Sequence, residues 1–216
     1  MIERKFVKEK MKELQVQEFI GETLKNVGHS HTIIQRTPMG EKVIIYASRP
    51  GLVVGRKGEN IKKLTNTLKK KFNLENPQIE ISEVTNPNLD AQIVAERIAS
   101  TIERFGTNKF KAIGHKALID AINAGALGIE VVVSGKVPSA RAKSWRFYNG
   151  YLKKAGNISI EGVKHAQARA VVKTGSIGIK VSIMPPDVEL PDDLEVKQPE
   201  TKVEAKNETQ GTQKSK

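Results

Sequence analysis

The chain has 216 residues, 38% of them hydrophobic, with 17 glycines and no cysteine; that is enough for one or two ordinary domains with a sizeable core, and it excludes a short peptide or a collagen-like rod. Without cysteine there is no disulfide framework, no thiol nucleophile and no thiolate zinc site, a composition that suits a reducing compartment. The 36 Lys and Arg against 24 Asp and Glu give a net charge of +12, which favours a polyanionic partner.

The first predicted element is an amphipathic helix with Val16, Phe19, Ile20, Leu24 and Val27 on one face, extending back toward Glu3. Residues 31–37 and 42–48 are rich in β-branched side chains and flank Pro38-Met39-Gly40, so they read as a hairpin. Residues 50–54 offer one helical turn, residues 55–58 interrupt it, and Ile61, Leu64, Leu68 and Phe72 mark the face of a further helix. Residues 78–84 alternate as a strand. Thr85-Asn86-Pro87-Asn88 then breaks the chain, because proline disfavours a helical residue before it and asparagine favours turns.

Two helices follow, one faced by Ala91, Val94, Ala95, Ile98, Ile102 and Phe105, the other by Phe110, Ile113, Ala117, Ala121 and Ala124, with Gly106 and Gly125 placed to end them. Strands are expected at residues 129–134, around 143–152, around 163–172 and at 177–183. Helices on a mostly antiparallel sheet make the fold class α+β. The expected organisation is a first domain over residues 1–86, a second over 87–184, and a disordered tail over 185–216, which has few apolar residues and no aromatic one. The start of the chain lacks the apolar run of a signal sequence and the longest apolar runs are strand-sized, so a cytoplasmic protein with no membrane partner is expected.

Charge is unevenly distributed. Residues 1–86 carry 16 basic and 10 acidic groups, 87–130 carry five of each, 131–186 carry ten basic groups against the single acid Glu161, and 187–216 carry five basic against eight acidic. The imbalance over 131–186 marks a contact surface. Within it Arg141, Lys143, Arg146, Lys153 and Lys154 surround Trp145, Phe147, Tyr148 and Tyr151. In a strand Arg141 and Lys143 would share a face with Trp145 and Phe147, and Arg146 the opposite face with Tyr148. Trp145 and Phe147 are either core or contact residues; Tyr148 and Tyr151 could stack on bases or bond phosphates.

The segment Gly55-Arg56-Lys57-Gly58 is the sharpest signal. Its glycines would admit close backbone approach, the helix starting at Glu59 offers free N–H groups and a positive dipole end, and Arg56 and Lys57 add two full charges. A sugar-phosphate backbone fits there. The same spacing occurs at residues 125–128 and 175–178, but with no charge between the glycines, and both read as turns at strand entrances. On the helix after the loop, Lys62 and Lys63 lie closest to it and extend the expected phosphate contact, whereas Lys69, Lys70 and Lys71 suit the helix C-terminus.

No nucleotide-binding P-loop, Gly-x-Gly-x-x-Gly run or His-Glu-x-x-His pattern occurs, so neither cofactor, metal nor catalytic residues are expected. His29-Ser30-His31 reads as a structural or solvent-facing pair.

The element order of residues 1–86 around Gly55-Arg56-Lys57-Gly58 resembles a type II KH domain, a single-strand RNA-binding module. Residues 47–58, then Asn88-Leu89-Asp90-Ala91 with Val94-Ala95, then residues 128–135, look like the universal small-subunit ribosomal protein S three family, in its archaeal form, over roughly residues 15–184. The resemblance implies a non-catalytic constituent of the small-subunit head. It also implies ribosomal RNA as partner, a place along the channel where messenger RNA enters, and neighbours such as S ten and S fourteen. Bacterial members carry a dense basic cluster at the start of the second domain's second helix; here that stretch holds Lys111, His115 and Lys116, and the two lysines join the expected RNA contacts. Two other readings stay open from the residues themselves: a free KH-type regulator of short messages, and a lyase using a Lys amine.

Overall fold

The computed structural model describes residues 2–191 apart from 26, 39, 75, 139, 140 and 189; the expected tail from residue 192 onward lies outside the described residues. Helix α1 (Ile2–Thr23) buries Val16 and Ile20 at the helical spacing seen in the sequence, and Leu24 closes that face just beyond its end. Strands β1 (His29–Thr37) and β2 (Gly40–Ala47) pair antiparallel as the expected hairpin. Strand β3 (Gln78–Glu83) pairs with β2 in parallel.

A parallel neighbour needs a crossover on one face of the sheet. Here the crossover is helix α2 (Pro50–Val54), a 3-10 turn over Arg56–Gly58, and helix α3 (Glu59–Phe72). The glycine segment is therefore held inside the crossover, its ends fixed by two helices. Leu64 and Leu68, one turn apart on α3, pack with Val16, Ile20, Val43 and Ile45 in a single buried cluster.

The rest of the chain begins with helices α4 (Ala91–Phe105) and α5 (Phe110–Asn123), then strands β4 (Gly128–Gly135) and β5 (Lys143–Gly150), a short helix α6 (Asn157–Glu161), and strands β6 (Lys164–Val172) and β7 (Gly175–Met184). The Asp90 carboxylate caps α4 by accepting from the Gln92 N–H at 3.0 Å, and Gly106 ends it. The four strands order as β5-β4-β7-β6, with every pairing antiparallel. Alternate residues Ile129, Val131, Val133, Ile179 and Val181 join the buried cluster with α4 and α5. The α+β architecture thus matches the expectation.

Two local expectations are corrected. Residues 175–178 are not a turn: they open β7, paired with β6 on one side, while the reversal falls at Lys173-Thr174. Helix α6 lies in a stretch read as connection, because five residues carry too little periodicity to signal a helix.

A polar junction joins the start of the first hairpin strand to the start of α4. The Ser30 hydroxyl donates to the Asp90 carboxylate and also meets His31 Nδ1 at 2.8 Å. His29 is buried, with Nε2 2.8 Å from the Thr32 hydroxyl. Burial, reinforced by the neighbouring His31 and opposed by Asp90, pulls the His29 imidazole below its ordinary value of 6.5. The unfolded chain therefore binds the proton first, so this stability is complete above pH 6.5 and is lost as pH falls through the folded-state value. The thermal midpoint is expected to drop between pH 7 and pH 5, and His29→Gln to flatten that slope; an identical pH profile in the variant would remove His29 as the cause.

Candidate nucleic-acid interface

Gly55 has φ 71° and ψ −178°, Lys57 sits in the left-handed region at φ 53° and ψ 23°, and Gly58 follows at φ 74° and ψ 19° as the cap of α3. Three residues of positive φ within four positions turn the chain sharply and leave Arg56 and Lys57 exposed at its apex. The two glycines do different work. A Cβ on Gly58 would meet nothing within 4 Å, so its surface is open to a ligand. A Cβ on Gly55 would lie 2.5 Å from Asn60 Nδ2, which donates to the Leu52 carbonyl at 3.2 Å. The missing side chain at Gly55 also makes room for Asn60, which ties α3 back to α2.

The first-turn N–H groups of α3 open beside this apex, and no side-chain cap occupies them. Lys62 is exposed on the first turns of α3. Lys63 is exposed too, but its Nζ lies 2.6 Å from Glu59 Oε1, and that contact draws the Glu59 carboxyl below its ordinary range. Beside the charges, Leu52 is half exposed on α2, which gives the apex an apolar flank against which a base can rest.

The second basic region forms around β5. Phe147 is buried, and Trp145 packs half-buried against the same cluster, with its ring 5.6 Å from that of Phe110. Both aromatics are core residues, and the Nε1 of Trp145 is buried without a partner. Lys143 shares the expected face: its Nζ lies 4.6 Å from the Trp145 ring centroid, and Lys111 reaches the same ring from α5 at 4.9 Å. Lys116 is exposed further along α5. Gly114 allows this close seat of helix on strand, since a Cβ there would come 2.8 Å from the Phe147 ring. Arg141 departs from expectation: it lies in the bend before β5 and shares no strand face with Lys143.

On the opposite face of β5, Arg146 lies 5.1 Å over the half-exposed Tyr148 ring. Lys153 lies 5.6 Å from the ring of Tyr151, also half exposed. One acidic residue stands among them. Glu130 on β4 receives Arg146 Nε at 2.6 Å and Lys154 Nζ at 2.7 Å. Partial burial opposes ionisation of Glu130, but the contacts with Lys154 and Arg146 outweigh it and hold the carboxyl below its ordinary range. Arg146 and Lys154 are thus already partnered, which charge counting by segment does not reveal. The signal was present in the strand alternation: Ile129, Val131 and Val133 face the helices, so Glu130 must face the other way, beside Arg146. On that same open face the sheet also carries exposed Lys180 and Arg169, on β7 and β6.

Among the described residues no three His, Cys, Asp or Glu side chains gather as a metal site, and no helix is long and apolar enough to cross a membrane.

Residues 15–89 match the KH domain family, and residues 98–183 match the family described as ribosomal protein S3, C-terminal domain. Curated relatives agree along nearly the whole length. The small ribosomal subunit protein uS3 of Methanocaldococcus jannaschii is 46% identical over 198 residues, covering 92% of this chain and 94% of the relative. That of Methanosphaera stadtmanae is 41% identical, covering 93% of this chain and 79% of the relative. That of Methanococcus aeolicus is 40% identical over 91% of this chain and 94% of the relative.

Proposed function

The chain belongs to the small ribosomal subunit protein uS3 family, and from that premise we propose that it is a structural constituent of the small ribosomal subunit that binds ribosomal RNA in the cytoplasm and acts by binding rather than by catalysis. The observation that carries this reading is the glycine turn. It presents two exposed cations, in no ion pair among the described residues, at the open end of α3, inside the segment that matches the KH family. The proposed contacts there are Gly55, Arg56, Lys57, Gly58, Lys62 and Lys63.

A second anchor is formed by Lys111, Lys116, Arg141, Lys143, Arg146, Tyr148, Lys153 and Lys154. Lys111 and Lys143 crowd one aromatic ring without a carboxylate between them, so a phosphate is the group that would relieve their repulsion. Arg146 and Lys154 are held by Glu130 in the free protein and would exchange that partner for RNA. We further infer, from membership of the family, a position in the subunit head along the channel where messenger RNA enters, beside S ten and S fourteen.

Sucrose-gradient sedimentation of native extract, before and after a high-salt wash, tests the address. Co-migration with the small subunit through the wash is expected. Recovery only at the top of the gradient would leave a free KH-type regulator instead.

A further inference from the structure

Helix α4 faces the connections that flank the first hairpin across a cleft of about 690 Å³ that neither basic anchor touches, within the roughly 300–1,000 Å³ typical of ligand clefts. One wall is the turn before β1 with the connection from β2 to α2, at Val27, Gly28, Ser48 and Arg49; the other is one side of α4. Arg49, Arg97 and Arg104 line it, together with Phe105. Arg97 is engaged, with Nη1 2.8 Å from Asn88 Oδ1 and Nη2 3.9 Å from Asp120. Arg49 and Arg104 are exposed and form no ion pair among the described residues.

Two acids share the walls, each with one carboxylate oxygen hydrogen-bonded, while the Oε2 of Glu96 is buried without a partner among the described residues. The Glu103 carboxylate accepts from the Val171 N–H at 2.8 Å. Glu96 accepts from Gln92, and burial raises its carboxyl above the ordinary range. The cleft therefore faces solvent with two uncommitted guanidinium groups and with Phe105, a large aromatic left 56% exposed at the end of α4. Lys109 adds a third cation 5.7 Å from the Phe105 ring centroid.

An exposed aromatic ring that shares a cleft with guanidinium groups suits an unpaired nucleotide. The π-face takes the base, the guanidinium groups take the flanking phosphates, and no sequence-specific donor is required. Arg49 and Gly55 bracket helix α2, which at 1.5 Å per residue sets them roughly 9 Å apart, so one strand of a few nucleotides reaches from the glycine turn to the cleft. We infer that the cleft between α4 and the β2–α2 connection is a third RNA contact, in which Phe105 stacks on one base of a single-stranded segment while Arg49 and Arg104 hold its phosphates. This rests on the reading of the protein as an RNA binder, but uses none of the residues assigned above.

The test is binding of a labelled single-stranded oligouridylate by the full chain across a salt series. Phe105→Ala is expected to weaken binding roughly 5- to 150-fold, the effect of losing one base–aromatic stack, with an unchanged thermal midpoint because the side chain is exposed. Phe105→Trp is expected to keep wild-type affinity and to lose fluorescence as oligouridylate is added, beyond any change from Trp145 in the parent chain. Arg49→Gln with Arg104→Gln is expected to reduce the slope of log affinity against log salt by about 1.4. Wild-type affinity in Phe105→Ala, while substitutions in the glycine turn do weaken binding, would overturn the cleft alone and leave its cations to an acidic protein partner. Failure of the parent chain and all variants to bind oligouridylate would overturn the cleft together with single-strand binding by the turn.

Discussion

Arg56→Asp combined with Lys57→Asp is expected to lower the affinity of the full chain for single-stranded RNA about 100-fold at moderate salt, since two charge-assisted phosphate contacts at about 1.5 kcal/mol or more each are lost. The reversed charges add repulsion, and the salt slope should fall by about 1.4 for two phosphates. The fold should survive. Both side chains are exposed, aspartate is among the residues that tolerate the left-handed backbone seen at Lys57, and acids at the N-terminal end of α3 are favoured by its dipole. A binding isotherm paired with a thermal melt checks the two halves: unchanged affinity would remove the turn from RNA recognition, and a collapsed melt would show that its cations are structural.

Gly128→Ala is expected to be the most damaging single substitution for the fold. Gly128 is the first residue of β4 and is paired with Gly150 and Met184 on its two sides. A Cβ there would collide with the backbone of Tyr151, with the amide nitrogen only 2.8 Å away, and no side chain can rotate aside to relieve it. The end of β5 would have to peel from β4, breaking the bond from the Tyr151 N–H to the Leu127 carbonyl at 2.8 Å. Overpacking against rigid backbone costs about 3 kcal/mol or more, or about 12 °C or more in thermal midpoint. Circular dichroism melts measure this, and a midpoint within a degree or two of the parent would contradict it. The same displacement drags Lys153 and Lys154, so RNA binding by the second anchor should weaken too.

The long periodic elements were legible because a single face must be buried. Leu64 and Leu68 could only belong to an amphipathic helix, and the alternation in β4 could only be a strand with one covered face. What was illegible depends on partners distant in the chain. That β3 lies parallel to β2 follows from the crossover, and nothing in residues 78–83 alone declares it. The Gly175 segment looks like a turn, yet it is drawn into β7 by its pairing with β6. At the candidate site, the glycines and charges of the turn stood out in the sequence. The crowding of Gly55 by Asn60 depends on one side-chain placement, and the neutralisation of Arg146 and Lys154 by Glu130 depends on strand register. Phe105 reads as one more apolar position on the face of α4, and only the end of the helix turns it outward.

The order of strands in the two sheets also sets a timetable for synthesis. The first sheet, β1-β2-β3, has all its members once Glu83 is made. The second cannot close until Met184, because β7, the last of the described strands, sits between β4 and β6. At roughly 5–20 residues per second, the intervening hundred or so residues take about 5–20 s to emerge. During that interval the glycine turn can already be formed and can meet RNA, while the basic surface around β5 has no completed sheet to rest on. Capture of RNA by the turn would then precede docking of the second anchor, so that assembly proceeds from the amino-terminal end of the growing chain.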